Sequence, residues 1–222
     1  MTTALPMFPL NTVLFPGLVV PLHVFEDRYR ALIHHLLREP DPAQRLFGSV
    51  CIREGYEVGE HGAQSLFRVG TRMQLTEISR NPDGTFDIVA VGRDRMRLDR
   101  LQTSGDFPAG EVEVLPDARA ASVPDEVVEQ ALAMFEAFRV AVAPFRGDPH
   151  PGNLPTDPTY LSWTLAAVAP LPMPERQALL ESDDALERLV LVTELLREEL
   201  RAMNVIPSLP ATEIARTRWS PN

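Results

Sequence analysis

The sequence predicts an α+β protein, with a β-barrel or sheet lobe that contains one early helix, followed by a helical bundle. Three observations carry this reading. Two β-rich segments, Leu66–Ile78 and Phe86–Leu101, flank Asn81-Pro82-Asp83-Gly84, whose Asp-Gly pair is a strong hairpin turn. In the second segment Phe86, Ile88 and Ala90 face one way while Val89 and Val91 face the other. Apolar residues on both faces suit a sheet covered twice, as in a closed or partly closed barrel. After Leu115 the alternation ends and apolar residues recur at helical spacing. The lobes are expected at residues 1–116 and 125–204, with a linker at 117–124 and a loosely held tail at 205–222.

The first stretch, Leu5 to Tyr29, reads LPMFPLNTVLFPGLVVPLHVFEDRY and holds four prolines. Proline removes a ladder donor, so strands here must be short, bulged or at an edge. A strand is expected near Met7–Leu10, a reversal at Phe15–Gly17 set by Pro16-Gly17, and a second strand at Leu18–Val24. Glu26–Arg38 is a predicted helix, because Tyr29, Leu32, Ile33, Leu36 and Leu37 form one stripe and Pro40 stops it. Leu46–Ile52 reads as a buried strand and 53–64 as a polar loop. Further along the second hairpin strand, Met96 and Leu98 alternate with Arg95, Arg97 and Asp99, and Glu111 to Val114 repeats that pattern. Pairing would set Arg95 and Arg97 opposite Glu111 and Glu113.

Beyond the linker, Asp125–Val142 carries Val128, Leu132, Phe135, Phe138 and Val142 on one face. Pro144–Pro158, with five prolines, reads as a long loop. Thr159–Val168, Pro174–Leu180 and Asp184–Met203 are three further helices, the last opened by a capping box from Asp184 to Glu187. Trp219 in the tail is expected to dock on the domain.

Composition excludes several kinds of chemistry. The chain has no lysine, so all 21 basic side chains are arginine. A Walker A phosphate loop, a Ser–Lys pair and a Schiff base are therefore absent from it. Cys51 is the only cysteine, which excludes an intramolecular disulfide and a cysteine-rich zinc site. His34 and His35 are adjacent and point about 100° apart on a helix, so they cannot share a metal. His61 and His150 lie in loops without ligand spacing. No catalytic motif is present, so no enzyme activity, cofactor or metal is expected. A net charge of −10 argues against general polyanion binding, and the absence of a spanning segment or leader makes the cytoplasm the default.

Phe8-Pro9-Leu10, Leu14-Phe15-Pro16-Gly17 and Pro21-Leu22-His23-Val24-Phe25-Glu26 with Arg28-Tyr29 resemble the opening of the N-terminal, substrate-binding domain of the ATP-dependent protease Lon. Val69-Gly70-Thr71, Gly92 and Arg95–Leu98 look like that family's central strands, and the resemblance covers about residues 5 to 203. It implies a PUA-like β lobe joined to a helical bundle. It also implies a stand-alone bacterial form in which no ATPase or protease follows. The ligand class it implies is unfolded polypeptide or a partner protein, bound without catalysis and linked to protein quality control.

Contact residues for such a ligand are expected among exposed apolar loop positions in a groove between lobes, namely Phe15, Leu18, Tyr56 and Phe107. A structural reading competes for part of this set. Phe8, Phe15, Phe25 and Tyr29 would build the barrel core, with Glu26 and Arg28 fixing the strand–helix junction. The alternative function is RNA binding by a PUA-like fold through the Arg93–Arg100 strand. Asp94 and Asp99 interrupt that run and no aromatic residues interleave it, which favours a solvated strand face.

Overall fold

The computed structural model describes residues 2–53, 66–117 and 123–205, and the chain falls into two compact units that divide between Pro116 and Asp117. The first unit contains β1 (Thr2–Pro6), β2 (Val19–Val24), α1 (Asp27–Leu36), β3 (Leu46–Ser49), β4 (Val69–Arg80), β5 (Phe86–Gln102) and β6 (Ala109–Leu115). The sheet runs β1-β6-β5-β4-β3 with every neighbouring pair antiparallel, and β2 adds to β5.

β5 is the spine. One of its edges carries β4, while the other carries β2 along Phe86–Val91 and β6 along Arg95–Gln102. The changeover falls at Gly92, whose carbonyl accepts from Gly17 N–H (2.9 Å) and whose N–H donates to the Leu18 carbonyl (2.9 Å). Gly17 takes φ = 79°, the left-handed conformation that the Pro-Gly turn predicts.

The sequence places a strand at Met7–Leu10, whereas the regular strand is β1 and stops at Pro6. Pro6 and Pro9 have no N–H, so the ladder cannot continue through them. Met7 and Leu10 survive as single parallel bridges to Gly48 and Cys51. Phe8 N–H donates to the Gly48 carbonyl (2.8 Å) and Ile52 N–H to the Leu10 carbonyl (2.9 Å), which brings the open edge of β3 back to the first segment and closes the sheet on itself.

Two apolar clusters fill this unit. Met7, Val50, Met96, Leu98 and Val112 form one. The other lies under α1, where Tyr29, Leu32, Ile33 and Leu36 meet Phe8, Phe47, Met73, Phe86, Ile88 and Ala90. Each fully buried aliphatic side chain of this kind contributes about 1.5–3 kcal/mol of transfer free energy. The helical stripe read from the sequence is the buried face, except that Leu37 lies beyond the last helical residue and is partly exposed.

The second unit contains α2 (Asp125–Arg146), α3 (Pro158–Val168), α4 (Met173–Glu181) and α5 (Ala185–Val205). The observed architecture is thus α+β. α2 runs through Pro144, which the sequence assigns to a loop. A proline there forfeits one helical bond, to the carbonyl of Val140, and Val140 itself lies on the exposed side of the helix at 65%. Asp157 caps α3 by accepting from the N–H groups of Thr159 (2.9 Å) and Tyr160 (3.1 Å), with Pro158 at the first helical position. The capping box of α5 forms: Asp184 accepts from Glu187 N–H (2.9 Å), while Glu187 reaches back to Asp183 N–H (2.8 Å).

Candidate functional site

The residues expected to contact a ligand are scattered. Phe15 is fully enclosed, which makes it a core residue and corrects its place among the contact positions. The reversal that holds it turns inward, with the Leu14 carbonyl accepting from the buried Thr71 hydroxyl at 2.6 Å. Leu18 and Phe107 are half-buried and rest against the α1 cluster, Phe107 with its ring 4.9 Å from that of His35. Tyr56, His61 and Trp219 lie outside the described residues.

Phe25 reverses its expectation in the other direction. It is 61% exposed, where a core role is expected, while Phe8 and Tyr29 are buried and stack at 4.0 Å. Alternation along β2 explains this: Leu22 and Val24 face inward, so His23 and Phe25 face outward. Their rings stack at 6.1 Å.

The register turns this into a small lattice on the outer face of the sheet. Val19 lies opposite Val91, Pro21 opposite Val89, and His23 opposite Asp87. Across β5, Val89 is opposite Glu77 and Asp87 opposite Ser79, after a bulge at Thr76. A groove of about 550 Å³ lies over Pro21, His23, Glu77, Ser79, Asp87 and Val89. Val19 beside it is 59% exposed. Both faces of this part of the sheet are apolar, as the sequence indicates, but the outer one is left open.

The polar residues of the groove are ordered by one another. His23 Nδ1 lies 2.7 Å from Asp87 Oδ1, and the Asn81 amide donates to Asp87 Oδ2 (2.9 Å). The hydrogen bond from His23, then that from Asn81, hold the Asp87 carboxyl below the ordinary aspartate range. Asp83 in the turn is lowered too, first by the Thr85 backbone N–H and then by the Thr85 hydroxyl. The Glu77 side chain, exposed on β4, makes no hydrogen bond or ion pair among the described residues.

A smaller pocket of about 180 Å³ adjoins the same strand, between Phe8, Leu10 and the run Leu22 to Glu26. Its floor is the strand–helix junction, fixed by Arg28 as the sequence suggests. The Arg28 Nε donates to Glu26 Oε2 (2.9 Å), and its guanidinium lies 4.5 Å from the centre of the Tyr29 ring.

His23 and Ser79 flank Asp87 on opposite strands, so two strand spacings, about 10 Å, separate their backbones. Among the described residues no group of three or more His, Cys, Asp or Glu side chains is placed to hold a metal ion. No helix among them is long and apolar enough to cross a membrane.

Three of the four arginines on this strand have partners within the protein. Arg93 binds the Gln74 side chain, Arg95 is 4% exposed and donates to the Pro116 carbonyl (3.2 Å), and Arg97 pairs with Glu113 and Asp99. Arg97 meets Glu113 as the alternation suggests, but Arg95 lies opposite Leu115. In an antiparallel ladder, matching Arg97 with Glu113 carries Arg95 to Leu115, so this register allows one of the expected pairs. A bulge at Asp99 then brings Arg100 opposite Glu111.

A family model described as the ATP-dependent protease La (LON) substrate-binding domain matches residues 4–198. Lon protease 2 of Syntrophobacter fumaroxidans is 29% identical over 204 residues, covering 90% of this chain and 25% of that protein. Lon protease of Escherichia coli K12 is 26% identical, with the same coverage of both. The chain thus spans about a quarter of the length of the curated relatives it matches. Among solved structures, the Lon N-terminal domain protein from Xanthomonas campestris superposes with a TM-score of 0.61 at 26% identity, covering 90% of this chain and 98% of that one. The N-terminal domain of a Mycobacterium avium complex Lon protease gives 0.60 at 19% identity, covering 88% and 99%, a likeness of fold alone. The chain belongs to the ATP-dependent protease La (LON) substrate-binding domain family.

Proposed function

We propose that this chain is a non-catalytic polypeptide-binding module that recognises unfolded segments, or a partner protein, for protein quality control in the bacterial cytoplasm. Membership of a family described as substrate-binding supports the ligand class. The observation that carries the reading is the open outer face of β2 and β5. There Val19 and Phe25 stay well exposed on either side of a shallow groove, although a folded monomer gains by burying such side chains.

The test is fluorescence anisotropy of a labelled, permanently unfolded polypeptide titrated with the full chain, repeated with labelled single-stranded RNA. The expected result is saturable polypeptide binding that survives moderate salt, with no RNA signal. RNA binding that collapses with salt would overturn the reading and promote the Arg93–Arg100 strand.

A further inference from the structure

We propose that the outer face of β2, β5 and β4 holds extended polypeptide and selects segments in which an aliphatic or aromatic residue is followed, two positions on, by arginine or lysine. This rests on the polypeptide-binding reading above and adds a sequence preference to it.

The lattice supplies the spacing. Along a strand, side chains on one face repeat about every 6.7 Å, and neighbouring strands lie about 4.8 Å apart. Pro21 and Val89 make an apolar floor of that size at one end of the groove, and Val19 extends it along β2 just outside. Glu77 lies beside Val89 across the strand, and Asp87 lies two residues along from Val89 on β5. A cation set one such repeat away from an apolar anchor on Val89 would therefore lie over Asp87, with Glu77 on the diagonal about 8 Å away.

Charge complementarity names the occupant. Asp87 is half-exposed and its two hydrogen-bond donors favour the ionised form, so it stays a carboxylate at neutral pH. Glu77 has no counter-charge among the described residues. The nearest arginine on β5, Arg93, is already bound by Gln74, and alternation turns Arg80 away from Ser79 to the other side of β4. Phosphate would meet two carboxylates here, and the one basic side chain lining the groove, His23, is already turned onto Asp87. β2 has an unpaired second edge among the described residues, but Pro21 has no N–H to offer an added strand there, which disfavours edge pairing.

The experiment uses the full chain and two fluorescein-labelled peptides of equal length and apolar content. One repeats Phe-Ser-Arg-Ser and the other Phe-Ser-Glu-Ser. The basic peptide is expected to bind about five- to tenfold more tightly at low salt, with the gap narrowing as salt rises. Glu77→Lys, an exposed change, is expected to abolish or reverse that preference, and Val89→Asp to weaken binding of a neutral Phe-Ser peptide. Circular dichroism establishes that both variants fold. Equal binding of the two peptides, or a preference that Glu77→Lys leaves intact, would overturn the selectivity while the polypeptide-binding reading stands. Failure of every peptide and of the unfolded polypeptide would overturn both.

Discussion

Arg188 lies over Trp163, its guanidinium carbon 3.2 Å from the ring centroid, and the two side chains share one carboxylate, that of Asp117. Arg188 Nη2 donates to Asp117 Oδ1 (3.1 Å) and Trp163 Nε1 to Oδ2 (2.9 Å). The remaining guanidinium donors reach Ser162 Oγ (2.8 Å) and the carbonyls of Leu179 and Ser182, both at 3.3 Å. One fully buried arginine thus joins α5 to α3, to the end of α4 and to the first residue of the second unit. Arginine suits this place because its planar fork can stack and donate in several directions at once.

Removing that side chain alone takes the counter-charge from a partly buried carboxylate, which keeps the neutral Trp163 Nε1 donor, and takes a donor from the Leu179 and Ser182 carbonyls. Arg188→Ala is expected to cost about 3–5 kcal/mol. Adding Asp117→Ala should recover part of the loss, since the uncompensated charge goes with it. Urea unfolding followed by far-UV circular dichroism would measure both. Additive losses would show that the pair is not coupled.

The cap of α5 is a smaller, separable contribution. Asp184→Ala removes the acceptor for Glu187 N–H and is expected to cost about 1 kcal/mol. Glu187→Gln can keep its bond to Asp183 N–H and should cost less. Hydrogen exchange at the first turn of α5 would resolve the difference, and equal protection in the two variants would contradict it.

How far the sequence reaches depends on the range of the interaction. The α1 stripe, the Asp-Gly hairpin and the α5 cap are set by neighbours within a few residues, and each is present as the spacing predicts. The Arg188 cluster joins residues 71 positions apart, so no local pattern announces it. Phe25 lies between. Its outward orientation follows from alternation once Leu22 and Val24 are placed inside, but its aromatic character argues for the core. The open face of Val19 and Val89 shows only as apolar residues on both sides of a strand, a pattern that a doubly covered sheet would share.

The Asp87 carboxyl offers a titration to follow. Its pKa lies below the ordinary value of 3.8 because His23 and Asn81 donate to the ionised form. A lowered folded-state pKa means the associated stability is complete above the unfolded-state value and fades as the pH falls through the lower one. Asn81→Ala and His23→Ala should each move the Asp87 midpoint upward, His23→Ala by more. Carbon NMR of the side-chain carboxyl reads this directly, and a midpoint unmoved in both would remove these donors as the cause.

Neighbouring arginines on β5 should behave differently. Arg95 is nearly enclosed and holds the Pro116 carbonyl, so Arg95→Ala is expected to cost about 1–3 kcal/mol. Arg97 is half-exposed and paired with Glu113 and Asp99, and Arg97→Ala should cost no more than about 1 kcal/mol. Thermal unfolding of the two variants tests the ranking. A larger loss at Arg97 would reverse the assignment of Arg95 as the structural member of the run.

Gly92 is where β2, β6 and the Phe15–Leu18 reversal meet on β5. A methyl group there would collide with the backbone carbonyl of Phe15 and crowd Pro16, neither of which can rotate away. At Gly48 the same methyl would meet Met96 Cε at 2.5 Å and Met7 Sδ at 2.6 Å, the far ends of flexible side chains. Both changes overpack the first unit, a cost of about 1–3 kcal/mol, but only Gly92→Ala must shift main chain. It should therefore be the more damaging, and it should also displace β2 and with it the face formed by Val19, Pro21 and His23. The check pairs chemical denaturation with the anisotropy titration of unfolded polypeptide. Gly92→Ala is expected to lose affinity under conditions where it remains folded, and Gly48→Ala to keep it. Retained affinity in a folded Gly92→Ala variant would mean that polypeptide is held somewhere other than the outer face of β2.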